Sequence, residues 1–232
     1  MNTAYMNWSG GKDSSFALYK TLQSRQFSIS HLLTTINALH NRISMHGVRS
    51  SLLEAQATSI GLPLVTVELP DQPSMQEYEL LLLKQLSLLK DAGCTHAIFG
   101  DIFLEDLKAY REAKLKELEM ACVFPLWKMD TTALATEFIQ SGFKSIVVCV
   151  NDLFLDKSFC GRIIDQSFLE DLPANVDPCG EHGEFHSFCF EGPIFREAIP
   201  FSTGELLYRK YDAPTKDVNN PSTYGFYFLD LF

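Results

Sequence analysis

Apolar positions recur along the chain with two periods. The run Ala4-Tyr5-Met6-Asn7-Trp8 reads as a buried strand, and Phe16, Ala17, Leu18 and Leu22 then repeat at helical spacing. The pattern predicts a second strand over 28–36, a helix over 48–60 stopped by Gly61, and a third strand over 62–69 closed by Pro70. A leucine-rich helix over 75–92 ends at Gly93, and a fourth strand covers 96–101. Residues 104–122 read as helix, 123–127 as strand, 132–140 as helix and 145–150 as strand. Alternation of this kind predicts an α/β fold, a doubly wound and mostly parallel sheet with helices on both faces. Beyond that, Pro, Gly and aromatic residues rise and helical signals thin out. Strands are expected over 184–191, 194–200, 206–211 and 224–229, with a polar loop over 215–222. This second region forms a smaller α+β C-terminal part. The expected division is 1–128 for a ligand-binding domain and 129–232 for a smaller substrate domain.

Composition narrows the class. The chain has 232 residues, 46% of them hydrophobic, which is ample for a core. No apolar run is long enough to cross a bilayer, and no signal peptide is evident, so a cytoplasmic location is expected. The six cysteines are scattered and several sit in apolar runs, as reduced core thiols do. The formal net charge of −10 argues against general nucleic-acid binding, which needs a basic surface.

The densest chemistry lies in Ser9-Gly10-Gly11-Lys12-Asp13-Ser14. It falls at a strand-to-helix turn, where backbone N–H groups and the helix dipole favour an anion. Gly10 and Gly11 permit positive φ and close approach of a ligand. Ser9 and Ser14 supply hydroxyls, and Lys12 supplies a compact positive charge. Asp13 would repel a phosphate unless a divalent cation sat between them. The phrase matches neither GxxxxGK[ST] nor GxGxxG. In open α/β sheets ligands bind at strand carboxyl ends where the strand order reverses. Gly100 and Asp101 end the fourth strand and should face the same ligand if that strand neighbours the first. Thr35 and Ile36 end the second strand and are candidates to hold a base through their backbone. Asp101 is a candidate metal or substrate ligand, with a helix cap as the plain alternative. Arg111 falls on the apolar stripe of its helix, so it should meet an anion or a structural carboxylate. In Cys179-Gly180-Glu181-His182-Gly183-Glu184-Phe185-His186, Glu181 and Glu184 lie beside Gly180 and Gly183 at a turn into a strand and are candidates to bring charge against a ligand, with a plain acidic hairpin as the alternative. Cys179, His182 and His186 have near-zinc spacing, but no second ligand pair accompanies them.

SGGKDS is the signature of the PP-loop ATP pyrophosphatases, which implies a HUP, or adenine nucleotide alpha hydrolase-like, fold. Several phrases appear in order: SGGKDS (9–14), GDI followed by Tyr110-Arg111-Glu112, Pro125-Leu126-Trp127 with Asp130, and CGEHGEFHSF (179–188) followed by Glu191-Gly192-Pro193-Ile194-Phe195. Together they resemble the diphthine–ammonia ligase family over about residues 4–195, and the chain looks like its shorter bacterial-type members. His182 stands where the family often has Asn. The resemblance implies ATP and Mg²⁺, adenylation of a carboxylate, and displacement of AMP by ammonia to give an amide. It implies a carboxylate substrate carried on a protein such as elongation factor 2. It assigns Lys12, Asp13, Asp101, Arg111, Glu181 and Glu184 to catalysis. Ser9–Ser14, Thr35, Ile36 and Gly100 then bind nucleotide, and Asp13 and Asp101 hold the metal. Residues 1–4 carry no nucleophilic cysteine, so free ammonium or another protein is expected to supply nitrogen. The rival readings are a nucleotide-sensing protein that binds ATP or AMP without turnover, and a tRNA-modifying PP-loop enzyme. Release of pyrophosphate separates the first, and salt-dependent tRNA binding the second. The sequence leaves a homodimer open.

Overall fold

Two sheets meet across a shared core in the computed structural model, which describes residues 1–43, 47–212 and 223–232. The first sheet contains β1 (Asn2–Asn7), β2 (Phe27–Asn37), β3 (Arg42–Ile43), β4 (Leu64–Leu69), β5 (His96–Ile98) and β6 (Ala121–Val123). β1 lies between β2 and β5, parallel to both. β4 extends the sheet beyond β2, and β6 extends it beyond β5, both in parallel. Only the short β3 runs antiparallel, against Ile36 and Asn37. The chain therefore builds outward on one side of β1 and then returns to the other. The order reverses between β1 and β5, which makes their carboxyl ends the switch point.

Side-chain alternation along β1 explains its burial on both faces. Ala4, Met6 and Trp8 enter one core with α1 (Lys12–Ser24) and α2 (Ser50–Ile60). Tyr5 enters another, with α3 (Met75–Asp91) and α4 (Glu105–Glu117). Gly61 ends α2 at φ 83°, as its position predicted. A capping box between Ser74 and Glu77 starts α3.

The second sheet is antiparallel, in the order β8 (Phe185–Glu191), β7 (Lys144–Asn151), β10 (Thr223–Leu231), β9 (Thr203–Asp212). Asp130 caps α5 (Thr131–Gln140) through the Ala133 N–H at 2.8 Å. A short helix, α6 (Gln166–Asp171), packs Phe168 beneath β7. Ion pairs tie the two sheets together: Asp230 of β10 meets Arg42 at 2.8 Å and Arg49 at 2.6 Å.

Several expectations need correction. The helix predicted over 104–122 ends at Glu117, because Glu119 turns left-handed at φ 52° and Met120 drops into the core. The following strand is Ala121–Val123, and Pro125-Leu126-Trp127 form a turn rather than a strand. The fourth strand stops at Ile98. Residues 194–200 are irregular, since the Arg196 and Glu197 N–H groups bond Ser59 on α2 instead of a sheet neighbour. Leu22 is exposed rather than on the buried face of α1. The loop expected over 215–222 lies outside the described residues.

Candidate active site

The turn after β1 is built by contacts that the local sequence does not announce. Gly10 adopts φ 73°, and its carbonyl accepts from the Cys189 N–H of β8 at 2.9 Å. Gln56, fully buried on α2, donates to that same carbonyl at 2.9 Å and to the Cys189 carbonyl at 2.6 Å. The Trp8 indole N–H donates back to Gln56 Oε1 at 2.9 Å. One amide side chain thus fastens the turn to both sheets. Replacing Gln56 with leucine should destabilise the protein by about 3 kcal/mol, because it strips partners from several buried polar groups. Urea unfolding of the variant checks this.

Helix α1 begins at Lys12, so the Gly11–Ser14 segment presents a helix N-terminus at the end of β1. The Gly11 N–H lies 3.3 Å from Ser9 Oγ, and Ser9 Oγ lies 3.1 Å from Ser14 Oγ. The Lys12 N–H donates to Ser187 Oγ at 3.2 Å. The Lys12 ammonium is buried; it donates to Asp13 Oδ1 at 2.6 Å and to the Cys179 carbonyl. Burial alone would lower its pKa, but the Asp13 carboxylate outweighs this and holds the amine charged. Burial pushes the Asp13 carboxyl upward despite that partner.

β1 and β5 are neighbours, and the loop after β5 packs directly on the turn. A Cβ at Gly100 would lie 2.9 Å from the Asp13 carbonyl carbon. Asp101 and Arg111, each a candidate in its own right, are partners: Arg111 Nε lies 2.8 Å from Asp101 Oδ2. The Arg111 guanidinium also covers the Phe99 ring at 4.4 Å. The cation on the stripe of α4 therefore meets a carboxylate and a ring.

Two cavities open at this point and share Asn7, Ser9 and Arg111. The smaller, about 240 Å³, lies between the sheet and α3–α4 and is lined by Thr34, Thr35, Tyr78, Phe99 and Tyr110 among others. The larger, about 1010 Å³, lies between the turn and the second sheet, at the upper end of the range for small-molecule sites. Its walls bring together Ser9, Gly11, Lys12, Asp13, Ser14, Gly100, Asp101, Arg111 and Glu181. Opposite them stand Tyr211, Tyr224, Phe226 and Phe228 of the β9–β10 hairpin.

Other candidates fall elsewhere. Ile36 is buried and lines neither cavity, while Thr35 lines the smaller one. Glu184 is fully buried; its carboxylate accepts from the Asp177 N–H at 3.0 Å and the His182 N–H at 2.8 Å. It holds the 177–184 loop and faces neither cavity. Cys179 is buried, with its thiol donating to the Thr131 carbonyl at 3.4 Å, and burial pushes its pKa up to about 12. Among the described residues, no group of three or more His, Cys, Asp or Glu side chains is placed to hold a metal ion.

Glu181 has the most distinctive electrostatics. Burial, then the charges of Asp13 and Asp101, raise its pKa to about 8. In the wall Asp13 contacts Lys12 and Asp101 contacts Arg111, while Glu181 is mostly protonated at neutral pH. His186 is pushed the other way, to about 4, by burial and by Lys12, and stays neutral. The folded protein binds the Glu181 proton more tightly than the unfolded chain does. The stability this contributes is present below about pH 4.5 and is lost as pH rises through 8. Glu181→Gln should therefore raise the melting temperature relative to the parent at pH 8.5, and the gain should vanish near pH 4. Thermal unfolding across pH checks it.

Sequence reasoning did not find Gln56, Ser187 or the aromatic wall. The first two act through contacts distant in sequence, and the aromatic residues read only as strand.

Fold and site define an open α/β protein with a glycine-rich turn and a helix N-terminus at its switch point, faced by a second sheet across a cavity. The N-terminal domain model of diphthamide synthase matches residues 1–121, and its C-terminal domain model matches residues 130–213. The chain belongs to the diphthamide synthase family. Diphthine–ammonia ligase of Schizosaccharomyces pombe is 24% identical over 240 residues, a match covering 90% of this chain but 39% of that protein. The human protein of the same name is 26% identical, covering 79% of this chain and 70% of that protein. The Danio rerio protein is 25% identical, covering 88% of each. A predicted tRNA methyltransferase subunit from Methanocaldococcus jannaschii superposes with a TM-score of 0.40 at 16% identity, covering 62% of this chain and 77% of that one. No helix among the described residues is long and apolar enough to cross a membrane.

Proposed function

We propose that the protein is an ATP-dependent ligase that converts a carboxylate to an amide with ammonia. The observation that carries this reading is the Ser9–Ser14 turn at the β1/β5 switch point, opening on both cavities. Relatives named diphthine–ammonia ligase support the reaction class. In the first step an acceptor carboxylate oxygen attacks the α-phosphorus of ATP, and pyrophosphate leaves. In the second, ammonia attacks the acyl carbon, AMP leaves, and one proton is released.

The smaller cavity takes the adenosine moiety, with Thr35 at its rim. The Gly11 backbone, Ser9 and Ser14 hold the departing pyrophosphate, with Gly10 shaping the turn behind them, and Lys12 offsets its charge. Arg111 binds the α-phosphate or the acyl group. Mg²⁺ is commonly held by one or two carboxylates plus substrate phosphates. Asp13 and Asp101, both facing the larger cavity, fit that requirement, and the ion would neutralise charge on the leaving group. Glu181, whose pKa of about 8 lies near working pH, accepts the proton from ammonium in its ionised fraction. The larger cavity admits the acceptor, for which a diphthine-bearing protein such as elongation factor 2 is the first candidate, and the site operates in the cytoplasm.

Incubation with ATP, Mg²⁺, ammonium and diphthine-bearing elongation factor 2 tests this. Equal amounts of AMP and pyrophosphate, dependent on ammonium, are expected, with acid-to-amide conversion seen by mass spectrometry. Nucleotide binding without pyrophosphate release would support a sensor instead.

A further inference from the structure

β9 is an edge strand, bonded to β10 on one side only among the described residues. It runs ten residues without proline, and it exposes Leu206 (42%), Leu207 (44%), Tyr208 (42%) and Tyr211 (46%). Open edges of this kind template strand addition. Charge argues for a particular occupant. Tyr211 pairs with Tyr224, Arg209 with Phe226 and Leu207 with Phe228 in the β9–β10 register. Since Tyr211, Tyr224, Phe226 and Phe228 line the larger cavity, Leu207, Arg209 and Tyr211 share the cavity face of β9, and Glu205 comes next in that alternation, just before the pairing with β10 shifts register between Leu206 and Thr203. Leu206, Tyr208 and Lys210 lie on the other.

We propose that β9 pairs antiparallel with β9 of a second copy, joining two four-stranded sheets into one of eight strands in a homodimer. A two-fold axis normal to the sheet keeps like faces together, so the register can shift only in steps that preserve the alternation. One register suits the stretch from Glu205 to Arg209. It sets Leu207 opposite the partner's Leu207 on the axis, and Glu205 opposite the partner's Arg209, twice. On the other face Leu206 meets the partner's Tyr208, also twice. Sliding one step along sets Leu207 against Arg209 and Glu205 against Tyr211. Sliding the other way sets Glu205 against Leu207. Opposite charges facing across strands stabilise a pair and like charges oppose it. Strand pairing alone makes a small interface, and the dimer dissociates on dilution.

Sedimentation velocity on the full chain over a concentration series tests this. The parent should pass from monomer to dimer as concentration rises. Glu205→Arg alone, or Arg209→Glu alone, should weaken the dimer on the order of tenfold, since each sets two like-charged pairs face to face. The double variant should recover it. Mixing the two single variants should also recover it, as a heterodimer. A parent that stays monomeric throughout overturns the proposal and leaves the edge to a strand from another protein. A dimer indifferent to the single reversals, or not restored in the double variant and the mixture, overturns it as well.

Discussion

Replacing Gly100 with alanine is expected to weaken nucleotide binding and turnover by about 100-fold while leaving the fold intact. The added methyl would sit 2.9 Å from the Asp13 carbonyl carbon and 3.0 Å from both its oxygen and the Ser14 nitrogen. All three are backbone atoms at the start of α1, so no side chain can swing aside. The helix start must shift instead, and a displacement of about 1 Å at a reacting centre costs about 100-fold. The core is spared because the shift is confined to the turn, which is held elsewhere by Gln56 and Cys189. Isothermal titration with ATP reads the binding loss, and an unchanged far-ultraviolet spectrum confirms the fold. Full-strength binding by the variant would mean that nucleotide does not use this turn.

Substituting methionine for Lys12 is expected to cut pyrophosphate formation by about 100- to 1000-fold, the usual consequence of removing one charge-stabilising donor. The methionine fills a similar volume, so packing is largely kept. The variant loses more than one charge. Burial already pushes the Asp13 carboxyl upward, and only Lys12 opposes that push strongly. Without it Asp13 takes up a proton more readily, so the carboxylate proposed to hold Mg²⁺ weakens with the ammonium. Arginine should not rescue, because its planar fork does not fit a buried slot shaped by the Asp13 carboxylate and the Cys179 carbonyl. Single-turnover assays of the methionine and arginine variants check both expectations.

Much of the first sheet was legible because its strands are short apolar runs separated by helices with clear stops. The Ser9–Ser14 segment was legible as a strand-to-helix turn because its glycines and serines stand between an apolar run and a helical repeat. Arg111 and Asp101 were each visible but not as a pair, since their contact depends on how α4 lies across the loop after β5. The end of α4 was missed because the Glu119 backbone turns at φ 52° with no glycine to announce it. Glu184 looked equivalent to Glu181 in sequence. The structure separates them: one carboxylate faces inward to two N–H groups, the other faces a cavity beside two further carboxylates. The spacing of two glycines could not decide that.

The most direct test is a crystal structure with Mg²⁺ and α,β-methylene ATP, whose bridging carbon blocks cleavage between the first two phosphates. The account predicts its phosphates on the Ser9–Ser14 turn, beside Lys12 and Gly100. An analogue bound away from that turn, or absent at saturating concentration, would contradict it.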